Sequence, residues 1–256
     1  MSLFDLLLLA LAGFAAGGMN ALAGGGTFFS FPALLAAGLP PVTANATNAV
    51  ALWPASLAGA WAARASLRPL GRYLLPLLLA GLAGGLLGGL LLLAGGDDVF
   101  RVLIPWLLLA ATALFAASPW LGRALAARRK AAGHPPHTPL SLGAHIGVSI
   151  YGGYFGAGMG ILQLAAFSIE GHPLARANAL KNLISAVIYS IATLTFVIAG
   201  RVSWYELAIL LTGATIGGYV GGALGEKLAP ALLRCFVILV GSTMTLYYFW
   251  STYFSA

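Results

Sequence analysis

The chain has 256 residues, of which 60% are hydrophobic and 7% are Asp, Glu, Lys or Arg, with a formal net charge of +7. A water-soluble domain carries about 25% charged residues, so this composition excludes one and identifies an integral membrane protein. The basic residues fall mostly in short polar breaks between apolar runs, the pattern of topology determinants facing anionic lipid rather than of a nucleic-acid surface.

The N-terminus, "MSLFDLLLLALAGF", lacks a basic leader and a small-residue cleavage site, and is read as part of the first apolar segment. That segment, about 3–37, is too long for one plain span and is interrupted by "NALAGGGTFFSFP" (20–32). Helical segments are expected next at about 43–67, 70–94 and 98–120. A polar linker, 123–138, holds Arg123, Arg128, Arg129 and Lys130. A second broken segment follows at about 140–169, interrupted by "YGGYFGAGMGILQ" (151–163), and then segments at about 176–199, 203–225 and 230–252. Most of these lengths are close to the ~20 residues a helix needs to cross ~30 Å of hydrocarbon. Runs such as "LLPLLLAGLAGGLLGGLLLLAG" do not alternate, which sets aside a β-barrel.

Shifting the sequence by 133 residues lays one half on the other without a gap. Pro40 meets Pro173, "ANA" (44–46) meets "ANA" (177–179), "GGLLGG" (84–89) meets "GGYVGG" (217–222), and Arg101 meets Arg234. The expected fold is an all-α polytopic membrane protein of about eight segments in two tandem pseudo-symmetric repeats. The first repeat is 1–122, the second is 139–256, and the first segment of each is interrupted at a Gly-rich break. Arg64, Arg68 and Arg72 in one break, with the basic linker, point to the cytoplasm. That pattern favours an even number of crossings per half, cytoplasmic termini and parallel repeats. An inverted arrangement, with a re-entrant broken segment, stands beside it.

The candidate chemistry lies at the two breaks and at the helix starts after them. Gly24, Gly25 and Gly26 disfavour a helix interior by roughly 1 kcal/mol each relative to alanine and allow unwound backbone. Gly156, Gly158 and Gly160 occupy the second break. A short helix opening at Thr27 or near Gly160 would aim free N–H groups and a positive dipole end at the break, an arrangement that attracts anions. "GGLLGG" and "GGYVGG" are instead read as smooth grooves for close helix packing. After the breaks come "TANATNAV" (43–50) and "RANALKNL" (176–183), which pair Asn45 with Asn178 and Asn48 with Lys181, with Asn182 alongside. An asparagine here can be a helix cap or a ligand. Lys181 can reach for the interface or stand in a wet pocket, and the pocket reading makes the site asymmetric and positive. Glu170 and His145 are candidates for coupling or gating, with Arg101 and Arg234. For Glu170 and His172, in "IEGHP", a plain loop is the competing reading, and for the arginines an interfacial anchor. No P-loop and no H-E-x-x-H motif occurs in the sequence, so no cofactor or metal is expected and the chain is not read as an enzyme.

The glycine break, the short apolar stretch with "GLP" and above all "GGYFGAGMG" followed by "ALKNLI" resemble the sulfite exporter TauE/SafE family, also called the 4-toluene sulfonate uptake permease family. The resemblance covers essentially the whole chain. It implies a bacterial inner-membrane transporter for sulfite, sulfonates or related organosulfur anions such as sulfoacetate. Its expected partners are the anion, the bilayer and a coupling proton or sodium, with no nucleic acid. Where the family commonly has Gly-Ile-Gly-Gly-Gly, this chain has "ALAGGG". The sequence reading is therefore a secondary transporter working by alternating access, against a passive anion channel or a permease for a non-sulfur anion.

Overall fold

The structure is a computed structural model that describes residues 2–22, 25–129, 139–224 and 230–254, without the side chains of 21–22, 121–129, 174, 221–224 and 230–234. The described residues form helices and no strand. In hydrocarbon each backbone N–H and C=O must be satisfied within its own segment, and a helix does so. In chain order the helices are α1 (Leu3–Leu22), α2 (Thr27–Ala36), α3 (Pro41–Ala62), a short α4 (Arg64–Leu67) with a 3-10 turn Arg68–Tyr73, and α5 (Leu74–Arg129). They continue as α6 (Pro139–Tyr154), α7 (Met159–Ile169), α8 (Leu174–Ile198), α9 (Trp204–Leu224) and α10 (Pro230–Tyr253). Among the described residues four stretches are long and apolar enough to cross a membrane: Leu3–Asn20, Arg64–Trp120, Ala175–Ile198 and Cys235–Tyr253.

α5 is two helices in one run. Gly96 (φ 68°, ψ −174°) breaks it between an arm at 74–95 and an arm at 97–129. Only glycine adopts that backbone without strain. Asp97, Asp98 and Arg101 cluster just after the break, where charge can reach the interface.

The first arm fixes the two ends of the molecule. Its 22 residues are about 33 Å long at 1.5 Å per residue, so Tyr73 and Asp97 lie at opposite ends. At the Tyr73 end, next to Arg64, Arg68 and Arg72, the Tyr73 hydroxyl donates to Glu170 Oε2 at 2.9 Å, which places the end of α7 and the start of α8 there. At the Asp97 end, Asp97 Oδ1 accepts from the Val42 N–H at 2.8 Å, capping the start of α3. Asp97 Oδ2 also lies 3.9 Å from Arg201, just past the end of α8. Helices α3 and α8 therefore run antiparallel. Their contacts agree, since Trp53 donates to Ser190 at 2.8 Å while Gly59, further along α3, packs on Asn182, earlier along α8. These two helices are equivalents under the 133-residue shift, so their course runs against the parallel arrangement that the charge pattern favours.

The broken first segments fold back on themselves. Along α6 and α7, Gly152 faces Met159, the His145 ring lies 4.7 Å from that of Phe167, and Ser141 and His145 both reach Glu170. Rising numbers on one helix meet falling numbers on the other, which defines an antiparallel hairpin. Gly26 likewise sits against Ala16 of α1, where a Cβ would come within 2.6 Å of the Ala16 carbonyl oxygen. The left-handed backbone expected of the glycine breaks occurs at Gly156 (φ 81°) and Gly158 (φ 74°). It does not occur at Gly26, which is helical (φ −56°, ψ −38°) and is needed for closeness instead.

Each hairpin packs on a helix of the other half of the chain. α1 lies on α9, where a Cβ on Gly17 would approach the Ala214 carbonyl oxygen to 1.9 Å and one on Gly217 the Phe14 carbonyl oxygen to 1.9 Å. α6 lies on the first arm of α5, with Gly88 and Gly153 in the same position at 2.1 and 2.3 Å from facing carbonyls. The expected grooves at "GGLLGG" and "GGYVGG" are thus close-packing surfaces, as small residues are in membranes. Trp61, Trp106, Trp120, Trp204 and Trp250 are exposed on the perimeter, as belt residues are.

Candidate anion site between the hairpin tips

A cavity of about 620 Å³ lies where the two hairpin tips approach α3 and α8. Gly26 and Thr27 border it from the first hairpin, Gly156 and Gly160 from the second, and Asn178, Lys181 and Asn182 from α8. These seven of the sequence-derived site residues, from the two hairpins and α8, line one cavity. Among the described residues Lys181 is the only Asp, Glu, Lys, Arg or His that lines it. Its stem lies along Gly160, whose absent Cβ would stand 3.3 Å from Lys181 Cδ. A Cβ at 160 would oblige the lysine stem to give way by a few tenths of an ångström.

The turn before α7 leaves a donor free. Met159 N–H donates to the Gly156 carbonyl, and Ile161 and Leu162 N–H both donate to that of Gly158. The N–H of Gly160 finds no backbone acceptor among the described residues. Gly160 and Lys181 border one cavity with no carboxylate among its described lining residues. That is an electrostatic setting for an anion: a cation partly removed from water is costly unless an opposite charge joins it.

Asn45 and Asn48 do not line the cavity. Asn45 is buried and donates to the Tyr154 carbonyl at 2.9 Å, satisfying an orphan acceptor at the C-terminal end of α6. Asn48 accepts from the Ser30 hydroxyl and sits 3.4 Å from Thr27 Oγ1, tying α3 to α2. Asn45 Nδ2 and both ends of the Asn48 amide are held by protein groups, whereas Asn45 Oδ1 is buried with no partner among the described residues; neither residue lines the cavity. Gly25 packs against Phe115, and Gly158 against Ala111. Gly24 and the side chain of Arg234 lie outside the described residues. Arg101 is exposed at a second, apolar cavity of about 760 Å³ bordered by α1, α2 and α10.

Several lining residues escape a motif search. Ser185 and Tyr189 extend the line of Asn178, Lys181 and Asn182 by further turns of α8, and Ser56 faces them from α3. The Tyr189 hydroxyl would lie 3.0 Å from a Cβ on Gly156. The signal was available, since 178, 181, 185 and 189 keep helical spacing and Ser56 is the 133-residue partner of Tyr189.

Towards the Asp97 end lies an aromatic cluster. The rings of Phe31, Phe100 and Phe155 pack mutually with centroids 5.3 to 6.1 Å apart. Beside them the Ser203 N–H donates to Thr47 Oγ1 at 3.0 Å. On the Tyr73 side the wall is formed by Ala58 and Ala62 late in α3, Asn178 early in α8 and Tyr219 late in α9. Asn178 is exposed there and Tyr219 is 81% exposed.

Glu170 sits in a second polar group at the Tyr73 end. Its Oε1 accepts from the Ser141 hydroxyl and pairs with His145 Nε2 at 2.7 Å, while Tyr73 holds Oε2 and lies 2.7 Å from His172 Nε2. Burial pushes the Glu170 carboxyl up. The hydrogen bonds and charge of His145, with the hydroxyls of Ser141 and Tyr73, outweigh it and hold the group at about 2, below its ordinary 4.5. Ser141 and Tyr73 carry no sequence motif.

The family model for the sulfite exporter TauE/SafE matches residues 9–248. The Escherichia coli K12 protein named "Probable membrane transporter protein YfcA" is 29% identical over 232 residues, covering 90% of this chain and 84% of that one. A "Probable membrane transporter protein" of Haemophilus influenzae is 28% identical over 247 residues, covering 94% and 93%. "Probable membrane transporter protein ORF9" of a Sinorhizobium species is 28% identical over 250 residues, covering 94% and 91%. No solved structure matches the chain. With a match that runs through both hairpins, α3, α8 and the cavity between them, the chain belongs to the sulfite exporter TauE/SafE family of membrane transporters.

Proposed function

We propose that the chain is a secondary transporter of the bacterial inner membrane that carries a small sulfur oxyanion of the sulfite or sulfonate type by alternating access. The observation that carries this is Lys181, alone among the described charged residues on a cavity bordered by both hairpin tips. The anion would sit against the Lys181 ammonium, the Gly160 N–H and the amides of Asn178 and Asn182. Oxyanions take such donors readily, with hydrogen bonds to a charged group worth ~1.5–3 kcal/mol. The family's name supplies the sulfur chemistry; the cavity wall supplies only the preference for negative charge. No catalytic role is assigned to any residue.

The two halves, 1–122 and 139–256, act in this reading as inverted repeats joined by the basic linker 123–138. The antiparallel course of α3 and α8 supports it, as do the matched glycines Gly38 (φ 89°) and Gly171 (φ 85°). So do the helix starts at Pro40 and Pro173, with backbone angles alike within 1°. Each hairpin then re-enters on its own side. α3, the two arms of α5, α8, α9 and α10 make six crossings, fewer than the eight segments read from the sequence. Because the crossings per half are odd, both termini fall at the Asp97 end. The end with Arg64, Arg68, Arg72 and the linker is the cytoplasmic one by its basic residues, so the termini are periplasmic. The charge pattern alone suggests the reverse because it does not reveal that the broken segments return.

The cavity is then open to the cytoplasm and closed outside, which disfavours the channel reading, since a channel needs a continuous path. In the opposite state the repeats exchange roles: Asn178 would be buried as a cap and Asn45 exposed. The membrane potential, negative inside, favours export of an anion by about 2.3 kcal/mol per charge per 100 mV. The test is equilibrium binding to purified protein of sulfite, sulfate, taurine, sulfoacetate and acetate. Lys181→Ala is expected to lose at least tenfold in affinity for the preferred anion, about 1.4 kcal/mol, with unchanged thermal unfolding. Equal affinity in the variant would remove the lysine from the site.

A further inference from the structure

We propose that His145, Glu170, His172 and Tyr73 form a proton-binding site that couples movement of the second hairpin to the proton gradient. This rests on the transporter reading above. The Glu170 side chain is 9% exposed, that of His145 2% and that of His172 11%. Among the described residues the groups facing the carboxylate are Ser141 and His145 from α6, Tyr73 from the turn before α5, and His172 from its own loop. Among the described residues no lysine or arginine forms an ion pair with it, although Arg72 and Arg176 are on adjoining stretches.

Proton accounting in this cluster is tight. Tyr73 has one hydroxyl proton and gives it to Glu170, so His172 Nε2 must donate its own N–H to the Tyr73 oxygen. His145 Nε2 must also donate, because an ionised carboxylate only accepts. Among the described residues the counter-charge that contacts the carboxylate comes from an imidazole. With a proton added to His145 the pair is neutral. When that proton leaves from Nδ1, Nε2–H still faces Glu170, and a buried net charge of −1 remains. Such a charge is unstable away from water, so proton loss favours a state in which the end of the hairpin is hydrated. The carboxylate, held at about 2, stays ionised throughout. The proton that is exchanged is carried by the imidazoles.

The device belongs to one hairpin only. At the matching positions the first half has Leu8, Ala12, Ala37 and Leu39 in place of Ser141, His145, Glu170 and His172. The hairpin that carries it is the one whose tip, Gly156 and Gly160, borders the cavity with Lys181. α7 joins the two places directly, its 11 residues making about 16 Å of rigid helix. The two histidines approach different oxygens of Glu170, and the described residues offer no group of three His, Cys, Asp or Glu arranged to hold a metal ion. A proton is the cation that fits.

Two measurements on the full chain test this. In lipid nanodiscs, histidine nitrogen resonances are followed against pH, with His145→Gln and His172→Gln used for assignment. Glu170→Gln is expected to lower the proton affinity of at least one of these two imidazoles about tenfold, the effect of removing an opposite charge at this range. In proteoliposomes containing labelled sulfite, an imposed pH gradient is expected to drive flux in the wild type and not in Glu170→Gln. Exchange of sulfite for sulfite at equal pH should persist in both. Gradient-driven flux that survives in Glu170→Gln, or wild-type flux indifferent to the gradient, overturns the proposal while leaving the transporter reading intact. If the wild type exchanges no sulfite, the reading of the cargo fails, and the resonances alone decide; unchanged imidazole affinity in Glu170→Gln then overturns the proton site. Should that variant not fold, the wild type suffices, because histidines that both titrate at or below the ordinary value near 6.5 also overturn it.

Discussion

Asn45 and Asn178 begin as indistinguishable residues, each in an "ANA" triplet at a helix start. The fold separates them completely. Asn45 is buried on the Tyr154 carbonyl, whereas Asn178 is exposed on the cavity wall. Their substitutions should therefore differ in kind. Asn45→Ala leaves a buried carbonyl unpaired and is expected to cost about 1–3 kcal/mol, read as a lower unfolding temperature in detergent. Asn178→Ala should leave that temperature unchanged and weaken anion binding severalfold, as loss of one neutral donor does. Lys181 was legible as an anomaly, because an ammonium in an apolar helix needs a reason. That it lies over Gly160 was not legible, since the contact depends on the fold of the second hairpin.

Helices in this chain are held together where a side chain is missing. Nothing but hydrogen fits at Gly17, Gly88, Gly153 or Gly217, where facing backbone leaves 1.9 to 2.3 Å for a Cβ. Gly217→Ala should force α9 off α1 and sharply reduce folded yield, measured by monodisperse recovery from membranes. Gly147→Ala is the control: nothing lies within 4 Å of its Cβ position. It should leave yield intact and raise the unfolding temperature slightly, in line with the ~1 kcal/mol advantage of alanine in a helix. The glycine pairs were readable as packing grooves, but their partners were not. Pairing α1 with α9 and α6 with the first arm of α5 crosses between the halves, which no local pattern reports.

The whole molecule is organised by the first arm of α5, whose length separates the basic end from the Asp97 end. If the termini are periplasmic, alkaline phosphatase fused after Ala256 should be active in cells and a fluorescent protein there should be dark. The opposite pair of results would reverse the proposed orientation. The exchange of states makes a second demand. In a Cys235→Ser background, a cysteine at 178 should react with a cytoplasmic thiol reagent and one at 45 should not. Conditions that favour the outward state should invert the two rates. Equal reactivity at both positions in every condition would mean that the repeats do not exchange roles.

The sequence by itself determined the solvent, the helical class and the break at each first segment, and singled out Lys181 as a cation in an apolar helix, because composition, glycine chemistry and helical period are local properties. It also carried the family, through "GGYFGAGMG" and "ALKNLI". Only the tertiary structure decided that the broken segments turn back as hairpins, that α3 and α8 run antiparallel, and that Glu170, with His172 in its own loop, gathers His145 and Tyr73 from separate stretches. Those outcomes depend on which faces meet across the chain. The same apolar run is compatible with crossing or returning, and the choice is made by packing at the glycine contacts.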